Sequence, residues 1–258
     1  VPDMWLPART YPGVVASGPK QLAVGAHPNG VTAAAPRSKE GPKAQRTRAV
    51  LLSTALYLFR ERGFEATTMR EIARMAGLSA GASYYHFSSK VGIIRAYYEQ
   101  KTGEHVDRTD AIFRSTASLG ERLRGAFHSK IELLARDRKL VGALLRSLSN
   151  PQDPLSIFAP ENHPTRTGAV EIFERALAPL GLAAERARPL ATALWGLHVA
   201  VLIYFSHDDS EDSARTHALI DDTVDLLAPL LELSGHVPAA QRTVDRLAEL
   251  LAKAGLAA

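Results

Sequence analysis

The sequence predicts an all-α protein, and two observations support this fold class. From Arg46 onward, apolar residues recur at helical spacing, and no segment shows the period-two alternation of a strand between turns. Gly, Ser, Asn and Pro signals interrupt this pattern often enough to predict about nine or ten helices. The chain contains no cysteine, so helix packing rather than disulfide bonds must hold the fold together.

The N-terminal part of the chain differs from the rest in composition and charge. Residues 1–43 are rich in Gly, Pro, Ala and Ser, which predicts an unfolded tail with a basic end. Residues 37–101 carry twelve Lys or Arg and five Asp or Glu, whereas the remainder carries 19 and 22. This asymmetry predicts a polyanion-binding module attached to a mildly acidic body.

The sequence has no signal that directs it to a membrane or out of the cell. The longest apolar stretch, residues 199–205, is too short to cross a bilayer. The N-terminus lacks the basic start, apolar run and cleavage site of a secretory signal. We therefore expect a cytoplasmic protein.

Two helices are predicted at the start of the basic segment. The first follows from an apolar stripe and ends at Gly63. The stripe consists of Leu51, Ala55, Leu58 and Phe59. Thr68 and Glu71 then form a Thr-x-x-Glu capping box, which predicts the start of a second, short helix.

A tight turn is predicted after the second helix. Gly77 suits the left-handed backbone that ends a helix, and Ser79 can cap a third helix. Two short helices joined in this way, from Thr68 to Phe87, have the sequence form of a helix-turn-helix. The second helix of this motif enters the major groove of DNA.

The run TTMREIARMAGLSAGASYYHFSSK, from Thr67 to Lys90, resembles the DNA-binding core of the TetR (tetracycline-repressor) family of bacterial regulators. YYHF and the following Lys90 are its most specific elements. The resemblance implies a three-helix DNA-binding domain at 45–105 and a helical effector-binding and dimerisation domain at 106–234. A short helix or tail would occupy 235–258, with Val244, Leu247, Leu250 and Leu251 on one apolar face.

Several residues of the motif are predicted to contact DNA. Small residues from Ala80 to Ser83 would let the backbone approach base edges, and Tyr84 to Lys90 would anchor phosphates. Phe87 should turn inward, and Arg46 and Arg48 are weaker candidates for backbone contacts. The predicted DNA-binding residues are Thr68, Arg70, Ser79, Ala80, Gly81, Ala82, Ser83, Tyr84, Tyr85, His86 and Lys90.

The body of the protein contains a predicted loop and a predicted ligand pocket. Four prolines between Asn150 and Gly168 predict a loop that could act as a lid. Trp195, His198 and Tyr204 lie on a strongly apolar helix, where each could line a pocket or fill the core. The predicted pocket residues are Phe127, Phe173, Trp195 and His198.

An acidic and histidine-containing cluster at 207–212 could bind a metal, but Ser210 could equally cap a helix whose first turn holds Glu211 and Asp212. We favour the cap and predict no metal and no cofactor. No catalytic triad, paired-carboxylate motif or phosphate-binding loop is apparent, so an enzyme is not expected.

The sequence therefore predicts a DNA-binding transcriptional regulator, in the form of a ligand-responsive repressor that binds a palindromic operator as a homodimer. Apolar residues on more than one face of 189–206 and 214–233 are as expected for a dimer interface. The effector would be a small molecule. The alternative is a helical adaptor or ligand-binding module whose helix-turn-helix contacts protein rather than DNA.

Overall fold

A computed structural model describes residues 41–150, 152–234, 237, 239, 241–243, 246, 249 and 250. Within these residues the all-α prediction is confirmed: they contain helices and no strand. The N-terminal helices are α1 (Pro42–Arg62), α2 (Met69–Met75), α3 (Ala80–His86) and α4 (Lys90–Ser115). The body contains α5 (Leu119–Leu134), α6 (Arg138–Leu145), α7 (His163–Ala176), α8 (Ala184–His207) and α9 (Ala214–Ser234).

One hydrophobic core runs through the helices without a break. It extends from α1 and α4 into α5, α7 and α8, and includes Ile93, Phe127 and Phe173. The domain boundary predicted between residues 105 and 106 falls inside α4, which is one continuous helix. A movement of α4 in the body can therefore reach the helices at the N-terminal end.

Two predicted boundaries are corrected by the structure. Helix α1 begins at Pro42 rather than near Arg46, because a proline is tolerated in the first turn, where its missing N–H has no helical partner. The loop predicted at 150–168 ends before residue 168, because α7 begins at His163. Its first turn contains Pro164, a position at which a proline is again tolerated. The segment before it is ordered by Asn162, whose amide donates to the carbonyl oxygens of Pro154 and Ser156.

Two other predictions concern the chain ends. The tail predicted at 1–43 lies outside the described residues except for 41–43, which belong to the N-cap and first turn of α1. Of the apolar face predicted for the last helix, only Leu250 is described, and it is half exposed.

Helix α8 is, among the described residues, long and apolar enough to cross a membrane by length and composition. Its inner side packs into the core through buried residues such as Leu194, Val201 and Phe205. A helix that packs into the core of a protein is apolar because its inner side is buried, so α8 is assigned to the core.

Candidate nucleic-acid interface and apolar cavity

The start of α2 is held by a reciprocal capping box. The Thr68 hydroxyl accepts a hydrogen bond from the Glu71 N–H at 3.2 Å, and the Glu71 carboxylate accepts from the Thr68 N–H at 2.8 Å. Hydrogen bonds from the Thr68 side chain and backbone hold the pKa of Glu71 below its ordinary value. The capping box predicted from the sequence is thereby confirmed.

The turn between α2 and α3 also follows the prediction. Gly77 has φ of +69°, the left-handed region in which a side chain would be strained, and the Leu78 N–H donates to the Ala73 carbonyl at 2.9 Å. Ser79 caps α3 by accepting from the Ala82 N–H at 3.2 Å. Local signals therefore set the relation between the two short helices.

The outer face of α3 is open to solvent and small at its N-terminal end. Ala80 and Gly81 are exposed, and the side chains of Tyr84 and Tyr85 are 49% and 80% exposed. Ala82 and His86 are half-buried, and the His86 ring packs edge-on against Tyr85 with centroids 5.1 Å apart. This face combines close backbone access with phenolic hydroxyls that can reach phosphate oxygens.

Ser83 is a correction to the predicted set. Its residue is fully buried, and its hydroxyl donates to the Ala80 carbonyl at 2.8 Å on the inner side of α3. The serine points inward and satisfies its hydroxyl within the helix. Ser83 therefore packs the motif and is not available to a base edge.

Lys90 is a second correction. It begins α4, as predicted, but its ammonium donates to the carbonyl of Phe64 at 2.7 Å and to that of Glu65 at 3.4 Å. The same ammonium lies 4.4 Å from the centroid of the Phe64 ring. In this structure Lys90 ties α4 to the loop between α1 and α2, and its charge does not face outward to a phosphate.

The remaining basic candidates divide by position. Arg46 and Arg70 are exposed, and Arg70 lies in the first turn of α2. Arg48 is half-buried and stacks over the Phe87 ring at 4.5 Å, while Phe87 itself is buried, as predicted. Arg46 and Arg70 are thus the more accessible cations.

An apolar cavity of about 110 Å³ lies in the body between α4, α5, α6, α7 and α8. Trp195 and His198 line it, as predicted. Phe127 and Phe173 do not: they lie behind His198, with ring centroids 5.6 and 5.4 Å from the imidazole. Tyr204 belongs neither to the cavity nor to the core, because it points to solvent and is 43% exposed. The cavity walls consist of Tyr97, Tyr98, Lys101, Thr102, His105, Lys130, Leu134, Val141, Leu144, Leu145, Ile157, Thr165, Ala169, Trp195, His198, Val199 and Leu202.

Two histidines of the cavity are uncharged at neutral pH. Burial, together with the positive charge of Lys130, lowers the pKa of His105 to about 3. Burial and the neighbours His105 and Lys130 hold the pKa of His198 well below its ordinary value. His105 donates from Nε2 to the Ala126 carbonyl at 2.8 Å, which selects its tautomer.

A hydrogen-bond network, buried at Tyr97 and Asp137 and exposed at Arg60, connects the cavity to α1. The Tyr97 hydroxyl donates to Asp137 Oδ2 at 2.9 Å, and Arg60 Nε donates to Asp137 Oδ1 at 2.5 Å. Tyr97 lies on the cavity wall, whereas Arg60 belongs to α1. Sequence reasoning missed this network, because its members are 40 and 77 residues apart from Asp137 and form no motif.

Helices α8 and α9 leave an apolar surface exposed. On α9 the exposed residues recur at helical spacing, and on α8 they include Ile203 and Tyr204. Gly196 on α8 has open space where a Cβ would be. The exposed apolar residues of α9 are Leu219, Leu226, Leu230 and Leu233.

The acidic and histidine-containing cluster at 207–212 contains the predicted helix start: Ser210 is the N-cap of a short 3-10 turn with Glu211 and Asp212 in it, and the Ser210 hydroxyl accepts from the Arg215 N–H at 3.1 Å. Buried Asp208 is a second capping residue, which accepts from both the N–H and the hydroxyl of Thr216 at 2.8 and 2.6 Å. Burial alone would raise the pKa of Asp208, but hydrogen bonds from Ser210 and Thr216 hold it well below its ordinary value. Among the described residues, no group of three His, Asp or Glu side chains is placed to hold a metal ion.

Both parts of the chain resemble known protein families. Residues 51–97 match the family model of bacterial regulatory proteins of the tetR family. Residues 122–250 match the model of the tetracyclin repressor-like C-terminal domain, and this match alone covers half of the chain.

Curated relatives are transcriptional regulators. The activator FasR of Mycolicibacterium smegmatis is 28% identical over 183 residues, which is 69% of this chain and 81% of FasR. The repressor KstR2 of Mycobacterium tuberculosis is 37% identical over 91 residues, 34% of this chain and 44% of KstR2.

Solved structures share the fold. The fatty acid degradation regulator FadR of Bacillus halodurans gives a TM-score of 0.58 at 18% identity, covering 72% of this chain and 96% of that one. FadR of Thermus thermophilus, solved with lauroyl-CoA, gives 0.52 at 24% identity and covers 74% and 95%.

Proposed function

The chain belongs to the TetR family of bacterial regulatory proteins and is a DNA-binding transcriptional regulator; we propose that it is a ligand-responsive repressor that binds a palindromic operator as a homodimer. The observation that carries the proposal is the pairing of an exposed, locally capped α3 with an apolar cavity walled by α4. Because a bacterial regulator must reach DNA, the proposed location is the cytoplasm.

The proposed DNA contacts lie on α2 and α3. Ala80, Gly81 and Ala82 let the backbone of α3 approach the base edges of one major groove. Tyr84, Tyr85 and His86 would contact phosphates and thymine methyl groups beside that groove. Thr68, Arg70 and Ser79 lie at the N-termini of the two helices, where backbone N–H groups favour a phosphate.

The proposed dimer interface is the exposed apolar surface of α8 and α9. Leu226 is 65% exposed, and Leu230 and Leu233 are about half exposed in the single chain. Burying such a surface against a second copy yields a four-helix interface with two-fold symmetry. Two-fold symmetry would present both α3 helices to equivalent half-sites, which explains the palindrome. The two half-sites would lie about one helical turn of DNA apart.

Effector binding in the cavity would be transmitted by α4 and by the Tyr97–Asp137–Arg60 network. A ligand that displaces the cavity wall shifts Tyr97, which alters the contact that Asp137 makes with α1. The same helix begins at Lys90, whose ammonium holds the loop before α2. The coupling free energy expected for such a device is about 1 to 3 kcal/mol.

The test is selection of DNA sites from a random duplex library by the purified full chain, followed by footprinting and a reporter gene behind the selected site. We expect a palindrome of two half-sites and reporter transcription that falls when the protein is present. Binding that shows no sequence preference at any salt concentration would overturn the proposal.

A second candidate, transcriptional activation, is favoured by the match to FasR, whose name describes an activator. The same reporter separates the two candidates. Activation predicts that transcription rises with the protein and is lost when the half-sites are scrambled.

A further inference from the structure

The cavity contains a lysine that, among the described residues, makes no direct contact with a protein carboxylate or other hydrogen-bond acceptor. Two lysines line the wall, and the ammonium of Lys101 is paired with the Glu104 carboxylate at 2.8 Å. Within the part of the chain that the structure describes, Lys130 has neither a hydrogen-bond partner nor an ion-pair partner. Burial lowers the pKa of Lys130 to about 8, so it is charged at neutral pH. A partly buried ammonium without a direct partner can take its counter-charge from a ligand that enters the cavity.

A second polar atom of the cavity also lacks a partner. The residue His198 is 3% exposed and lines the cavity, and its Nε2 is buried without a hydrogen bond. The other faces of the ring are taken by His105, Phe127 and Phe173. Lys130 and His198 line the same cavity, and the charge of Lys130 contributes to the low pKa of His198.

We propose that the cavity binds a monocarboxylic acid with an apolar chain, whose carboxylate accepts hydrogen bonds from the Lys130 ammonium and the His198 Nε2–H. This inference rests on the proposed function, since it names the chemical class of the effector. A single carboxylate supplies one negative charge and can accept both hydrogen bonds, which matches the two unpartnered groups.

The rest of the wall selects the remainder of the ligand. Leu134, Val141, Leu144, Ile157 and Leu202 are aliphatic, and burying an alkyl chain against them is favourable. Of the two lysines of the wall, Lys101 is already paired with Glu104, so the single charge of Lys130 matches a monoanion better than a phosphate dianion. A free acid therefore fits better than a phosphorylated ligand.

The experiment measures binding to the full chain at pH 7, without DNA, by titration calorimetry and by the fluorescence of Trp195 in a Trp5→Phe background. The probes are decanoate, methyl decanoate, decanol and decanoyl-CoA, which share one apolar chain. We expect decanoate to bind about tenfold or more tightly than the ester and the alcohol, because only the carboxylate forms charged hydrogen bonds.

Two matched variants locate the carboxylate. Lys130→Met should abolish the preference for decanoate over methyl decanoate while leaving ester binding in place. Lys101→Met removes the other cavity lysine, which is already paired with Glu104, and should leave the preference intact. His198→Phe should reduce decanoate affinity several-fold and serves as a second readout if Lys130→Met is poorly folded.

Equal binding of decanoate, ester and alcohol to the unmodified chain would overturn the inference, as would a preference that survives in Lys130→Met. Tight binding of decanoyl-CoA without binding of decanoate would overturn it too. Because these assays contain no DNA, their failure leaves operator binding untouched. A failure of the proposed function would show instead in the DNA selection.

Discussion

The helix-turn-helix and the body differ in how far their polar side chains are exposed to solvent. In α2 and α3 the functional side chains are exposed, and each helix start is satisfied by a residue three positions away, as with Thr68 and Glu71. In the body, several titratable groups are buried: His105, His198 and Asp137 are each at most 3% exposed. A DNA-contacting surface needs a rigid scaffold with free outer groups, whereas an effector cavity needs polar groups enclosed among apolar ones.

The largest expected effect that tests this contrast is the dependence of the free energy of unfolding on pH. Unfolded histidine titrates near pH 6.5, while folded His105 has a pKa of about 3 and that of His198 is also well below its ordinary value. As the pH falls below 6.5, the unfolded chain takes up protons that the folded chain excludes. The free energy of unfolding should then fall by up to about 1.4 kcal/mol per pH unit for each histidine.

Urea unfolding at pH 7, 6 and 5 measures this slope. His198→Phe should make the slope shallower, because one histidine fewer takes up a proton on unfolding. The control is His163→Gln, which alters an exposed histidine at the start of α7 and should leave the slope unchanged. An unchanged slope in His198→Phe would show that the buried imidazole does not set the acid sensitivity of the body.

The next effect concerns the network that joins the cavity to α1. Tyr97→Phe removes the donor to Asp137 Oδ2 and should lower the free energy of unfolding by about 1 to 3 kcal/mol. Tyr98→Phe is the matched control, because Tyr98 also lines the cavity but donates to the Leu155 carbonyl. Operator affinity should fall in Tyr97→Phe and not in Tyr98→Phe; equal losses would argue against a specific link through Asp137.

A smaller effect is expected from a cap of the helix-turn-helix. Thr68→Ala removes the acceptor of the Glu71 N–H and should cost about 1 kcal/mol of stability. Thr47→Ala, which removes a hydroxyl from the interior of α1, serves as the control. Thermal unfolding and operator binding measure both variants, and a Thr68→Ala protein with unaltered operator affinity would separate the cap from the DNA contact.

The smallest change in stability is expected at the exposed face of α3. Tyr85→Phe should leave the free energy of unfolding within about 0.5 kcal/mol, because the hydroxyl is in solvent. The loss of one phosphate hydrogen bond should weaken operator binding by about 1 kcal/mol. Tyr57→Phe alters an exposed tyrosine of α1 and should change neither quantity; unchanged operator affinity in Tyr85→Phe would remove this hydroxyl from the interface.

By itself the sequence determined the all-α class, the end of α1 at Gly63, the caps at Thr68 and Ser79 and the left-handed turn at Gly77. The helix ends, caps and turn each depend on a residue and its neighbours within five positions, so the hydrogen bonds and backbone angles involved are local. For Trp195 and His198 the sequence left two roles open, cavity wall or core, because aromatic and polar groups on an apolar helix can do either; Tyr204 on the same helix proved to be exposed.

Tertiary structure alone decided the direction of Ser83, the internal role of Lys90 and the composition of the cavity. Lys90 reaches carbonyls 25 and 26 residues away, and the cavity brings Lys130 of α5 beside His198 of α8. Such partners are separated by whole helices, and only the packing of those helices determines which buried groups meet and which remain without a partner.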